Sequence, residues 1–273
     1  MARRLSRDAW RGRVARLRRE TLRGNIGAAG ELGLLLQQGM QDERGRTVVR
    51  RNAGRSFPLL ARAAAAGDMS SVFPLAYAFD VGLGTRRDKR RAIRLYRRAW
   101  QQGSSAAASN IATVHRDRSN LRLAFKWWSR AAAVGDGEAA VDVGYCYQYG
   151  IGTRRNARLA CEMYKRAIAS TSTTDCGREE AMYHLAVAYL DAGDSKRARA
   201  LLLRAAADAD FPEAESVLNQ LEAKRAIVPC RCRRGLLKSL PGHAACPQHR
   251  TASLPNPRLQ RTALRAAAEP PGR

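Results

Sequence analysis

The sequence contains no apolar stretch near the ~18 residues that cross a membrane as a helix. No secretory apolar region follows the N-terminal arginines, because charge interrupts Met1 to Glu20 throughout. A cytoplasmic location is the resulting expectation. Catalytic signatures are missing too: there is no G-x-S-x-G, no phosphate-binding G-x-x-x-x-G-K-[ST] and no H-E-x-x-H. Histidine occurs four times, and none of the four stands beside a Ser or Cys nucleophile motif. The chain therefore reads as a non-enzyme. Aromatics make up 6%, and acid is scarce, with 24 Asp and Glu against 49 Lys and Arg.

What is present is repetition. Leu75-Ala76-x-x-Phe79-x-x-Gly82-x-Gly84-x-x-x-Asp88-x-x-x-Ala92-x-x-x-Tyr96-x-x-Ala99 recurs 68 residues later as Val143-Gly144-x-x-Tyr147-x-x-Gly150-x-Gly152-x-x-x-Asn156-x-x-x-Ala160-x-x-x-Tyr164-x-x-Ala167. Equivalent positions fall at Ser71, Ala107, Ala139, Ala181 and Ala214, in steps of 36, 32, 42 and 33 residues. These lie near the ~34-residue period of helix-turn-helix arrays. Each unit reads as two helices. Helix A carries an apolar stripe, such as Ala107, Ile111, Ala112 and His115. Helix B pairs small residues with a large one, as in Ala92/Tyr96/Ala99, Ala124/Trp128/Ala131, Ala160/Tyr164/Ala167 and Ala198/Leu202/Ala205. Gly67, Gly103 and Gly135 mark helix C-termini. The glycine pairs Gly82/Gly84 and Gly150/Gly152 lengthen alternate units, and Ser170 to Asp175 is a loop by composition. Ala28-x-x-x-Leu32-Gly33 and Ser56-x-x-x-Leu60-x-x-Ala63 form a degenerate first unit with Arg44 to Arg55 as its enlarged loop, and Ala214 to Leu221 reads as a closing helix.

These residues resemble the Sel-one-like repeats, relatives of the tetratricopeptide repeat. Leu75, Phe79, Gly82, Gly84, Asp88, Ala92, Tyr96, Ala99 and Gly103 match the family pattern in one unit, and Gly144, Tyr147, Gly150, Gly152, Ala160, Tyr164 and Ala167 in another. Trp127-Trp128-x-x-Ala131-Ala132-x-x-Gly135 matches the helix B half of a third. The resemblance implies an all-α fold, a right-handed α/α superhelix or solenoid, serving as an adaptor in bacterial signalling or complex assembly. The expected organisation is a basic N-terminal segment over 1–24, a degenerate repeat over 25–67, the array with its closing helix over 68–223, and a basic Cys/His-containing tail over 224–273. Both basic ends are expected to be disordered. Some secreted members of the family join their hairpins by disulfides. Cys146 and Cys161, equidistant from the centre of their loop, are open to that reading and to one as two buried apolar thiols.

The net charge of +25 is concentrated at the ends. Residues 1–58 hold 14 basic and 5 acidic side chains, and residues 224–273 hold 11 and 1. Arg outnumbers Lys 43 to 6, which a GC-rich genome produces without selection for binding. Within the array, Arg87, Arg90, Arg91, Arg94, Arg97 and Arg98 form a stripe opposite Ala92, Tyr96 and Ala99. The stripe is either a solvated face or a docking face for an acidic partner. Asp88 is expected to cap helix B.

In the tail, Cys230-x-Cys232, Cys246 and His249 offer four ligands suited to tetrahedral zinc, or are incidental residues of a disordered segment. The function expected from all of this is a scaffold that binds a protein or peptide, with no cofactor besides that zinc. The alternative is a nucleic-acid-associated protein using its basic ends and the zinc site as a knuckle.

Overall fold

The computed structural model describes residues 6–207 and 212–226. The described residues fall into two compact units, divided between Gly177 and Arg178.

The first unit begins with α1 (Arg7–Leu22) and α2 (Ile26–Gln38), followed by a short antiparallel pair, β1 (Met40–Gln41) and β2 (Thr47–Val49). Helical hairpins follow: α3 (Ala53–Ala65) completes one with α2, α4 (Val72–Val81) packs on α5 (Lys89–Gln101), α6 (Ser105–Asp117) on α7 (Leu121–Ala133), and α8 (Gly137–Tyr149) on α9 (Ala157–Ala169). Helices α2, α4, α6 and α8 are the A helices, and α3, α5, α7 and α9 the B helices.

Each B helix of this unit starts from an Asn or Asp whose side chain accepts a backbone N–H of the first turn. These caps are Asn52, Asp88, Asn120 and Asn156. The small-large-small pattern puts Tyr96, Trp128 and Tyr164 inside the hairpins, with Tyr96 and Tyr164 fully buried. The two Gly-x-Gly turns explain the longer units. Gly84 and Gly152 have φ of +72° and +68°, and a Cβ on them would lie 2.1 Å from the Ala53 carbonyl oxygen and 2.2 Å from that of Leu121. The turn of each long hairpin thus rests on the first residue of the preceding B helix.

Two expectations need correction. The N-terminal segment, at least from Arg7, is not a disordered tail. It forms α1, with Ser6 as its cap, and buries Trp10, Val14 and Leu17 against Ala28, Leu32, Leu35 and Val49. These residues make a stripe at i, i+4 and i+7, masked in the sequence by the surrounding arginines. Arg13 also pairs with Glu31 of α2, Nε to Oε1 at 2.7 Å. The stretch from Arg44 to Arg55 is not simply a loop either. It holds β2 and the start of α3, and its turn is organised by buried Asp42, which accepts from the backbone of Arg44 and Arg46, both at 2.9 Å.

In the second unit, α10 (Asp175–Asp191, starting in the last residues of the first) buries Ala181, Met182, Leu185 and Ala186. Asp194 caps α11 (Ser195–Ala205), and α12 (Pro212–Ala226) buries Ala214, Val217 and Leu218. The expected closing helix is this last element, and Arg199 of α11 bonds Glu222 on it at 3.1 Å.

Candidate functional site

Helix α5 is the most highly charged element of the array. Its 13 residues include one Lys and five Arg and no carboxylate. Ala92, Ile93, Tyr96 and Ala99 face inward, which leaves Arg87, Arg90, Arg91, Arg94, Arg97 and Arg98 exposed. Three of the six have internal contacts. The Nε of Arg87 donates to the Asp80 carbonyl at 3.0 Å. Arg91 pairs with Asp88 at 3.2 Å and lies over the Phe79 ring. Arg98 reaches the Met69 sulfur at 3.3 Å. Arg90, Arg94 and Arg97 have no ion-pair partner among the described residues. Asp88 holds the start of the helix: backbone N–H groups of Arg91 and Arg90, with the nearby charge of Arg91, keep its carboxyl below the ordinary value.

Beneath the stripe is a buried polar network that sequence reasoning missed. Asp80, in the last turn of α4, is buried and accepts from the Lys89 ammonium. It also accepts from the Tyr96 hydroxyl at 3.3 Å. Lys89 lies 3.7 Å from Asp117 at the end of α6, so it links two hairpins. Burial, followed by the Asp80 charge, pushes the Tyr96 hydroxyl well above its ordinary value. The second long unit places an uncharged acceptor at this point. There the Tyr164 hydroxyl donates to Gln148 at 2.7 Å, with Gln148 in Asp80's place and Ala157 in Lys89's. Comparison of the two copies position by position carries this signal.

His115 occupies the packing position expected for it, on α6. Burial and then the charges of Arg97 and Arg118 hold its imidazole below the ordinary value. Cys146 and Cys161 are both free, the first buried and the second half-buried, and burial raises both thiols. The tail ligands Cys230, Cys232, Cys246 and His249 lie outside the described residues.

The Sel1 repeat family model matches five segments, 28–68, 73–104, 116–136, 137–172 and 179–210, which together span more than half of the chain. The chain belongs to the Sel1 repeat family. Its fold class is accordingly all-α, a solenoid of helix-turn-helix repeats. Among solved structures, this Sel1 repeat protein is similar to one from Oxalobacter formigenes, with 25% identity, a TM-score of 0.54, and 67% of this chain and 73% of that chain covered. It also matches a protective antigen present in uropathogenic Escherichia coli strains that displays an SLR fold. That match has 21% identity and a TM-score of 0.63, and covers 81% of this chain and 46% of that one. This likeness is one of fold.

Against the family pattern, this Sel1 repeat protein departs at Trp100. The pattern places Ala there, as at Ala64, Ala132 and Ala206, and the second long unit departs as well, with Ile168. Trp100 is half-buried and meets Trp127 of α7 edge-on, with centroids 6.3 Å apart. Among the described residues, no helix is long and apolar enough to cross a membrane.

Proposed function

We propose that this protein is a non-enzymatic scaffold, an adaptor in bacterial signalling or complex assembly, that holds an acidic protein partner on the outer face of α5. Sel1 repeats are in general protein-interaction modules, and that supports the scaffold role. The observation that carries the choice of face is the set of exposed arginines on a helix without a carboxylate, three of them without an ion-pair partner among the described residues. Such a face complements carboxylates and steers their approach.

The test is a pull-down with the full chain and with an Arg90→Ala/Arg94→Ala/Arg97→Ala variant, with bound material identified by mass spectrometry and by nuclease treatment. Capture of an acidic protein by the natural chain and its loss in the variant are the expected result. A captured set that is unchanged in the variant, or that vanishes on nuclease treatment, overturns the reading. In the second case the basic ends are the binding element.

A further inference from the structure

The stripe on α5 continues into a feature with different chemistry. The Trp100–Trp127 contact fixes which edges of α5 and α7 face one another. On α5 that edge carries Ile93, Arg97 and Trp100, spaced i, i+4 and i+7; on α7 it carries Leu123, Trp127 and Arg130, with the same spacing. Arg97, Leu123 and Arg130 are exposed, and the Arg130 guanidinium lies 4.6 Å from the Trp127 ring centroid. Leu121 and Leu123, at the start of α7, are 39% and 36% exposed. The two helices together hold nine basic residues and no carboxylate. Along this seam half-buried Trp100 and exposed Leu123 are the apolar side chains that solvent reaches, and Arg97 and Arg130 flank them.

The tryptophan at position 100 adds a half-buried indole to this seam. Ala64, Ala132 and Ala206 fill the same position in other units and half-buried Ile168 in the second long unit, so the indole is particular to this one. Tryptophan and arginine side by side are the residue types that dominate the energetics of protein–protein contacts.

We propose that the groove between α5 and α7 binds an acidic protein segment that inserts one apolar or aromatic side chain between its carboxylates. The inserted side chain lies against Leu123 and the exposed part of Trp100. Flanking carboxylates meet Arg97 on one rim and Arg130 on the other, and Arg90 and Arg94 extend the cationic rim outward. This rests on the reading of α5 as an acidic-partner face and adds to it the requirement for an apolar anchor. A nucleic acid is a poorer fit. Its phosphates gain nothing from exposed Leu121 and Leu123, and the Trp127 face on which a base would stack is occupied by Arg130.

The experiment is a selection of displayed random 12-residue peptides on the full chain. Affinities of the enriched peptides are then measured by fluorescence anisotropy for the natural protein, Leu123→Ser, Arg97→Glu and Arg94→Ala. Leu123 and Arg97 are exposed, so an unchanged melting temperature is the folding control. The expected result is enrichment of acidic peptides with a central apolar residue. Their affinity falls at least tenfold in Leu123→Ser and in Arg97→Glu, and replacing the central residue with Ser removes the Leu123 effect. Acidic peptides without an apolar preference, bound equally by Leu123→Ser, overturn the groove and leave the acidic-partner reading standing. Enrichment without acidic residues, or no enrichment, overturns both. Tighter, salt-dependent binding of a 20-nucleotide poly(U) probe that is lost in Arg97→Glu also overturns the proposal.

Discussion

The Arg166 guanidinium donates to the Ala132 carbonyl oxygen at 3.0 Å, which joins α9 to the last turn of the preceding B helix. Arg62 makes the equivalent contact to Thr21 at the end of α1, longer at 3.5 Å. Arg stands just before the inner Ala in every B helix, at Arg62, Arg98, Arg130 and Arg166, and again on α11 at Arg204. A cation placed on the carbonyl end of a neighbouring helix offsets its negative dipole end as well as satisfying an acceptor. Arg166→Ala is expected to lower stability by about 1.5 kcal/mol, the lower end for a hydrogen bond made by a charged group. Chemical denaturation reads it, and an unchanged midpoint would show the contact to be idle.

The Asp80–Lys89 pair sets up a swap between the two long units. Lys89→Ala leaves a buried carboxylate without its cation and is expected to cost about 3 kcal/mol. Adding Asp80→Gln copies the arrangement of Gln148 and Ala157 and should return most of that loss. Urea denaturation of the single and double variants checks this. A double variant as weak as the single would mean that Lys89 acts mainly through Asp117.

Gly152→Ala puts a Cβ against the Leu121 carbonyl in a left-handed backbone conformation. It is expected to destabilise by about 2 kcal/mol. Gly135→Ala is the control, because nothing lies within 4 Å of a Cβ there although φ is +95°. The difference between their thermal midpoints isolates the cost of the clash from that of the backbone.

His115 binds its proton more weakly in the folded chain than in the unfolded one. Its contribution to stability is therefore complete above the ordinary histidine value of about 6.5 and declines as pH falls from there through the lowered folded value. Urea midpoints measured from pH 8 to pH 5 should fall. His115→Phe, which copies Phe79 at the matching position, should flatten the fall above pH 5. Asp88 adds a separate loss at lower pH, as its lowered carboxyl takes up a proton.

Deletion of residues 1–24 removes α1 and uncovers Ala28, Leu32 and Leu35. The loss of buried Trp10, Val14 and Leu17, each worth roughly 1.5–3 kcal/mol, should lower the melting temperature markedly. A melting curve equal to that of the full chain would mean that α1 is not held on α2 in solution.

The hairpins were legible in the sequence because their packing rule is local. Ala92, Tyr96 and Ala99 meet helix A within one unit, so a single period exposes them. Helix α1 was harder to read, because Trp10, Val14 and Leu17 are set among arginines that dilute the apolar stripe. The Asp80–Lys89–Asp117 link was hidden for another reason. Its members come from three helices and two hairpins, and no fixed spacing joins them. Likewise the face of α5 was visible in the sequence, but its groove with α7 depends on which edges the two tryptophans bring together.

The glycine turns that rest on the preceding B helices also restrict how the array can change length. Removing α6 and α7 alone would bring the Gly152 turn onto the start of α5, where Lys89 stands and is committed to Asp80. Removing or copying 68 residues restores the same seam. The seam thus recurs once per pair of hairpins, and a partner that spans α5 and α7 lies wholly within one such pair.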